Sequence, residues 1–181
     1  MKVLLDTCVI YPTVMREMIL GVARAGAFVP LWSERIIAEW VHATAKIGTD
    51  AQAQATGEAA LMAAKWPGAS IAWPPSLEAR LWLPDPADRH VLAAAIAGSA
   101  DGILTLNARD FPRGVLAEEG LWRADPDGFL HGIWQAQPDP VAEVAQGVLA
   151  KARRLSESQW EMRPLLKKAR LPRLAKALGG G

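Results

Sequence analysis

Cysteine occurs once in 181 residues, at Cys8. That scarcity excludes an internal disulfide framework and any site built from several thiolates. Histidine is nearly as rare: His42, His90 and His131 are scattered without a spaced partner, and they read as packing or surface residues. No apolar stretch reaches the roughly 18 residues of a membrane span. The N-terminus runs straight into an apolar segment, so neither a signal peptide nor a transmembrane anchor is expected, and the expected compartment is cytoplasmic. Internal repeats are absent. What is present is globular in character: 51% hydrophobic and 22% charged residues, in a chain long enough for one ordinary domain with an appendage.

The formal net charge of +1 hides an asymmetry. Residues 151–178 carry nine Lys/Arg against Glu157 and Glu161, a net +7, leaving 11 basic and 17 acidic residues, a net −6, elsewhere. An acidic body suits a site that holds cations, and a basic tail suits a surface that meets phosphates. A solvated helical face explains the tail equally well.

Strand and helix signals alternate. Val3, Leu4 and Leu5 form an apolar run without alternation, the pattern of a strand buried on both faces in a parallel sheet. Thr13 is expected to cap a helix that Gly26 ends, and Ala27-Phe28-Val29-Pro30-Leu31 reads as strand two. Ser33 caps a helix to about Ile47, and the Ala- and Gln-rich stretch 50–65 favours another. Residues 70–73 read as strand three. Asp85-Pro86-Ala87-Asp88 is a helix start, with Asp at the cap and Pro at the first helical position. Residues 103–106 form strand four and 121–123 a fifth. Asp125-Pro126 and Asp139-Pro140 open further helices, with interruptions at Pro164 and Pro172 and no later strand signal. The expected organisation is an α/β domain over 1–137 and a basic helical C-terminal extension over 138–181.

Four acids acquire a common address in that arrangement. Asp6 ends strand one, and Glu39 lies six residues past the Ser33 cap. Asp88 is in the first turn of its helix, and Asp110 follows strand four. Strand C-termini and helix N-termini share one edge of a parallel sheet, where ligands bind. Converging carboxylates repel and raise one another's pKa unless a divalent cation neutralises them. An all-oxygen set without thiolates or paired imidazoles favours Mg²⁺ or Mn²⁺ over zinc. Asp85 and Asp101 read as cap and turn residues rather than ligands. Trp32 and Trp82 lie near the acidic edge, where an indole can stack a base.

Leu4-Leu5-Asp6-Thr7-Cys8-Val9, the Ser33-to-Glu39 helix start, Asp88-Arg89-His90-Val91-Leu92-Ala93-Ala94-Ala95, and Thr105 to Phe111 occur in an order that resembles the PIN-domain nucleases, including the VapC-type toxin ribonucleases of bacterial toxin–antitoxin pairs. Asp125-Pro126-Asp127-Gly128-Phe129-Leu130 is similar to a feature of one PIN subfamily with a longer C-terminus. The resemblance implies a parallel-sheet α/β/α PIN-like sandwich and a Mg²⁺- or Mn²⁺-dependent ribonuclease. Asp6, Glu39, Asp88 and Asp110 would serve as catalytic and metal-binding acids, with Thr7, Thr105 and Asn107 supporting them. Two departures stand out: Cys8 replaces a common Asn, and Asn107 occupies the place where many members carry the fourth acid. Asn107 and Asp110 both remain candidates for that role.

The implied partners are an RNA substrate and, for a toxin, an antitoxin. The tail's helical spacing of Leu171, Leu174 and Leu178 offers an apolar face to the domain, a partner helix or a second copy of the chain. Arg35, Arg89 and Arg109 are candidates for holding flanking phosphates. Two other readings compete. An aspartyl-nucleophile phosphatase also begins with an acid after strand one, but it needs a second Asp two residues on, where this chain has Cys8. A catalytically weak PIN-like module that binds RNA or protein keeps the same motifs without cutting.

Overall fold

The computed structural model describes residues 1–156 and 158–180. Four short strands, β1 (Lys2–Leu5), β2 (Val29–Leu31), β3 (Gly102–Leu104) and β4 (Trp122–Ala124), form one sheet in the order β2-β1-β3-β4. Central β1 pairs in parallel with both neighbours, Leu4 opposite Leu31 on one side and Ile103 on the other. Its Val3, Leu4 and Leu5 are buried, as a two-faced parallel strand requires. Asp101 ties the strand starts together: its carboxylate accepts from the Lys2 amide at 2.6 Å, so it is indeed a structural acid. Gly102 admits β4, because a Cβ there would collide with the Trp122 ring.

The chain divides into two compact units, 1–11 with 29–123, and 12–28 with 124–181. The first holds α1 (Thr7–Ile10), α3 (Glu34–Thr44), α4 (Thr49–Lys65), α5 (Pro75–Arg80), α6 (Arg89–Ala97) and α7 (Arg113–Glu118) beside the strands. Ser33 caps α3 as expected, its hydroxyl accepting from the Ile36 amide at 3.1 Å. In α6, Val91, Leu92, Ala93, Ala94 and Ala95 are all buried. Small side chains let that helix approach β1 and β3 closely, while each fully buried Leu or Val contributes about 1.5–3 kcal/mol.

The second unit is helical: α2 (Thr13–Arg24), α8 (Pro126–Ala136), α9 (Pro138–Ser156), α10 (Met162–Lys168) and α11 (Pro172–Leu178). Asp125 caps α8, accepting from the Gly128 amide at 2.8 Å. Asp127, the next acid in that segment, is buried and accepts from the amides of Arg173 and Leu174 at 2.9 and 3.0 Å. It therefore caps α11, 46 residues away in the chain. Gly21 of α2 faces Val144 of α9 at a distance that leaves no space for a side chain. Leu165, Leu166, Leu171 and Leu174 are buried, so α10 and α11 belong to this unit's core.

Several expectations change. The division into units does not coincide with a boundary after residue 137: α2 and α8 group with the C-terminal helices. Strand three does not form. Residues 69–71 meet Trp32 in a single parallel bridge, and Pro74 and Pro75, which lack amide donors, turn the chain into α5. A short α1 follows Asp6 directly. Pro164 lies inside α10, in the first turn that tolerates proline, and does not interrupt it. Trp32 is only 2% exposed and packs edge-to-face on Trp66, so it has no face for a base, whereas Trp82 is 60% exposed.

Candidate functional site

Asp6 leaves the end of β1 and is only 7% exposed. Its Oδ2 accepts from the Thr105 hydroxyl at 2.6 Å and from the Cys8 thiol at 3.1 Å. Burial, and then the charge of Asp6, push the Cys8 thiol up to about 12, so it remains a protonated donor. Cys8 also accepts from the Leu106 amide at 3.2 Å, which fixes the loop after β3 against the start of α1. A residue that departs from the family pattern thus supports Asp6 directly.

Glu39 comes from α3. Its Oε2 accepts from Thr7 Oγ1 at 3.0 Å, and its Oε1 faces His90 Nε2 at 3.0 Å and Arg35 Nε at 3.4 Å. Asp88 stands at the N-cap of α6, after a 3-10 turn (Pro86–Asp88) that Asp85 caps through the Ala87 amide at 2.9 Å. Asn107 bridges two acids, donating to Asp110 at 2.6 Å and to Asp88 at 3.5 Å.

The carboxylates of Asp85, Asp88 and Asp110 each place an oxygen within 4.8 Å of the other two. Asp6 and Glu39 are near enough to act on Asp88 electrostatically. Burial raises the Asp88 carboxyl to about 6, and Asp6, Asp85, Asp110 and Glu39 push it the same way, in that order. The four acids expected at the sheet edge therefore share one field. The tightest trio, however, includes Asp85, which reads from the sequence as a cap alone. It is a cap, and it also faces the cluster. Its signal was the spacing Asp85-Asp88, which serves a helix start and a ligand pair equally.

The donor set fits a hard divalent cation. It consists of carboxylates; Asn107 turns its amide nitrogen to them as a donor, the only nearby thiol is protonated, and His90 turns its Nε2 toward Glu39. Burial first, and the neighbouring carboxylates after it, raise Asp88, and a cation held there would offset the second of these. Of the expected phosphate-binding arginines, Arg35 is paired with Glu39 and with Glu78 at 3.4 Å, and Arg109 is exposed. Arg89 is half-buried, with its Nε unpartnered. An open cleft of about 470 Å³ lies at the start of α3, with Ser33, Glu34, Arg35 and Trp73 among its walls and none of Asp6, Glu39, Asp88 or Asp110 in its lining.

The strand ends and helix starts of this parallel α/β sheet gather acids that could hold a cation. The chain matches the family model described as PIN domain over residues 2–109, and it belongs to the PIN-domain family. PIN domains are generally nucleases, so the class of function is nuclease-type; PIN nucleases use divalent metals, and the trio Asp85, Asp88 and Asp110 could hold one. No curated protein and no solved structure matches the chain significantly. Among the described residues, no helix is long and apolar enough to cross a membrane.

Proposed function

We propose that this protein is a Mg²⁺- or Mn²⁺-dependent endoribonuclease. The observation that carries the reading is the meeting of Asp85, Asp88 and Asp110, with Asp6 and Glu39 acting on Asp88 across the same site. Asp6, Asp88 and Asp110 would hold the cation, with Glu39 completing the set and Asp85 reinforcing it. Asp110 rather than Asn107 supplies the fourth acid, because Asn107 turns its amide nitrogen toward Asp88 and Asp110 as a donor.

When bound, the cation acidifies a water and offsets charge on the phosphate oxygens. Thr105 and Cys8 hold the Asp6 carboxylate, so its geometry is set before substrate arrives. Glu39, held by Thr7 and His90, orients the water and takes its proton. The water oxygen bonds to phosphorus as the bond to the 3′ oxygen breaks, and the departing oxygen takes a proton from solvent, leaving a 5′-phosphate and a 3′-hydroxyl. Arg109 and Arg89 hold phosphates on either side, and the basic residues of 151–178 add affinity that falls steeply with salt. We place the protein in the cytoplasm as the toxin of a toxin–antitoxin pair, with an antitoxin or a second copy of the chain as its protein partner.

The test combines Mn²⁺ titration calorimetry with cleavage of a broad single-stranded RNA pool. Binding that Asp6→Asn abolishes, and cleavage that EDTA stops, are the expected results. Cleavage that persists in EDTA or in Asp88→Ala would place the activity elsewhere. Mn²⁺ binding without cleavage of any RNA would favour the binding-module reading.

A further inference from the structure

We propose that His90 is a positioning residue that orients Glu39 for the cation, an inference that rests on the metal-site reading above. His90 lies on α6 two residues after Asp88 and is 1% exposed. Its Nε2 stands 3.0 Å from Glu39 Oε1. A carboxylate only accepts, so the neutral imidazole carries its hydrogen on Nε2. The other nitrogen, Nδ1, is then a bare lone pair, and it is buried without a hydrogen-bond partner.

That orphan is what makes the residue informative. A buried acceptor without a donor is destabilising, and an apolar ring of similar size would avoid it. Packing alone therefore does not account for an imidazole here. The bond to Glu39 does. Thr7 occupies the other oxygen of Glu39, and Arg35, which also reaches Oε1, is half exposed on a flexible stem. His90 is the rigid donor on Oε1.

Its ring is immobilised by a closed circuit of side chains. His90 stacks on Trp73, with centroids 6.5 Å apart and planes 24° from parallel. The Trp73 indole donates to Glu78 Oε2 at 2.9 Å, Glu78 Oε1 accepts from Arg35 at 3.4 Å, and Arg35 returns to Glu39 at 3.4 Å. Arg35 closes that circuit from the exposed side, so the buried His90, stacked on Trp73, is the member that steadies Oε1 of Glu39. One helix, α6, thereby sets Asp88 directly and Glu39 through His90. Donors that hold ligating carboxylates tune metal affinity as the ligands themselves do.

Two variants and the wild type test this. His90→Phe keeps an aromatic ring against Trp73 and removes both the N–H and the orphan; His90→Gln offers an amide N–H in its place. Calorimetry with Mn²⁺ should show affinity falling roughly 10–100-fold in His90→Phe and largely restored in His90→Gln. The metal-free Tm of His90→Phe should be unchanged or higher. Nitrogen-15 spectra of the metal-free wild type should show the His90 hydrogen on Nε2. A lower Tm in His90→Phe with unchanged Mn²⁺ affinity, no rescue by His90→Gln, or a hydrogen on Nδ1 would each overturn the proposal while leaving the metal site standing. Absence of Mn²⁺ binding by the wild type would overturn the metal site and this inference together.

Discussion

Asp6 in the first unit and Asp127 in the second are buried to nearly the same degree, at 7% and 6% exposure. Their surroundings are opposite. Asp127 accepts two backbone amides at the start of α11, where the helix end is itself positive, so its charge is compensated within the fold. Asp6 is held by a hydroxyl and a thiol and shares its field with Asp88, whose own carboxyl is pushed toward protonation. Burial by itself therefore does not mark a functional acid. What marks it is charge that the protein's own donors leave uncompensated. The first unit also closes helix ends, with Ser33 and Asp85, so the contrast lies between the two acids: Asp127 meets amides, and Asp6 meets further carboxylates.

The largest effect should come from breaking the second unit. Ending the chain after Ala150 removes four buried leucines, each worth about 1.5–3 kcal/mol, against a total stability of about 5–15 kcal/mol for a typical domain. Circular dichroism and thermal melting should show a fragment that has lost that unit's cooperative transition. A soluble fragment with an unchanged melt would show instead that α10 and α11 are an appendage.

Asp6→Ala should break only the first side of the comparison. Cleavage should fall by more than the roughly 10–100-fold typical of a change outside the ligand shell, with an unaltered circular dichroism spectrum. Loss of folded signal would make Asp6 a structural acid like Asp127. The reciprocal change, Asp127→Ala, should cost about 2 kcal/mol as a lost helix cap, read from the denaturant midpoint, with Mn²⁺ affinity intact. Weaker Mn²⁺ binding there would show that the two acids are not separable.

The smallest effect is in the pH dependence of the metal-free protein. Asp88 has a folded value of about 6 against an ordinary 3.8, so the folded chain binds that proton more tightly than the unfolded chain does. Its contribution to stability is fully present below the unfolded value and is lost as pH rises through about 6. Asp88→Asn should flatten that slope and raise the neutral-pH Tm of the metal-free protein. An unchanged pH profile would mean that Asp88 carries no such strain, and the contrast with Asp127 would weaken.

Much of this molecule was legible along the chain because its signals are local. The apolar run at 3–5, the caps at Ser33, Asp85 and Asp125, and the alternation of strand and helix depend on neighbours a few residues apart. They also bring Asp6, Glu39, Asp88 and Asp110 to one edge, since parallel topology dictates where strand ends and helix starts meet. Residues 70–73 misled, because a β-like composition does not reveal that two prolines ahead will stop a ladder after one bridge.

Other features depended on distance in space. The hydrogen bond between His90 and Glu39, the Thr105 hydroxyl on Asp6 and the capping of α11 by Asp127 all join groups whose sequence neighbours carry no trace of the partner. Sequence determined which acids exist, which elements carry them and at which edge they gather. Tertiary structure decided which distant donors each acid meets, as Thr105 meets Asp6 and His90 meets Glu39. That choice separates them, because a carboxylate's charge is either satisfied or left over according to atoms within about 3 Å, and those atoms come from elsewhere in the chain.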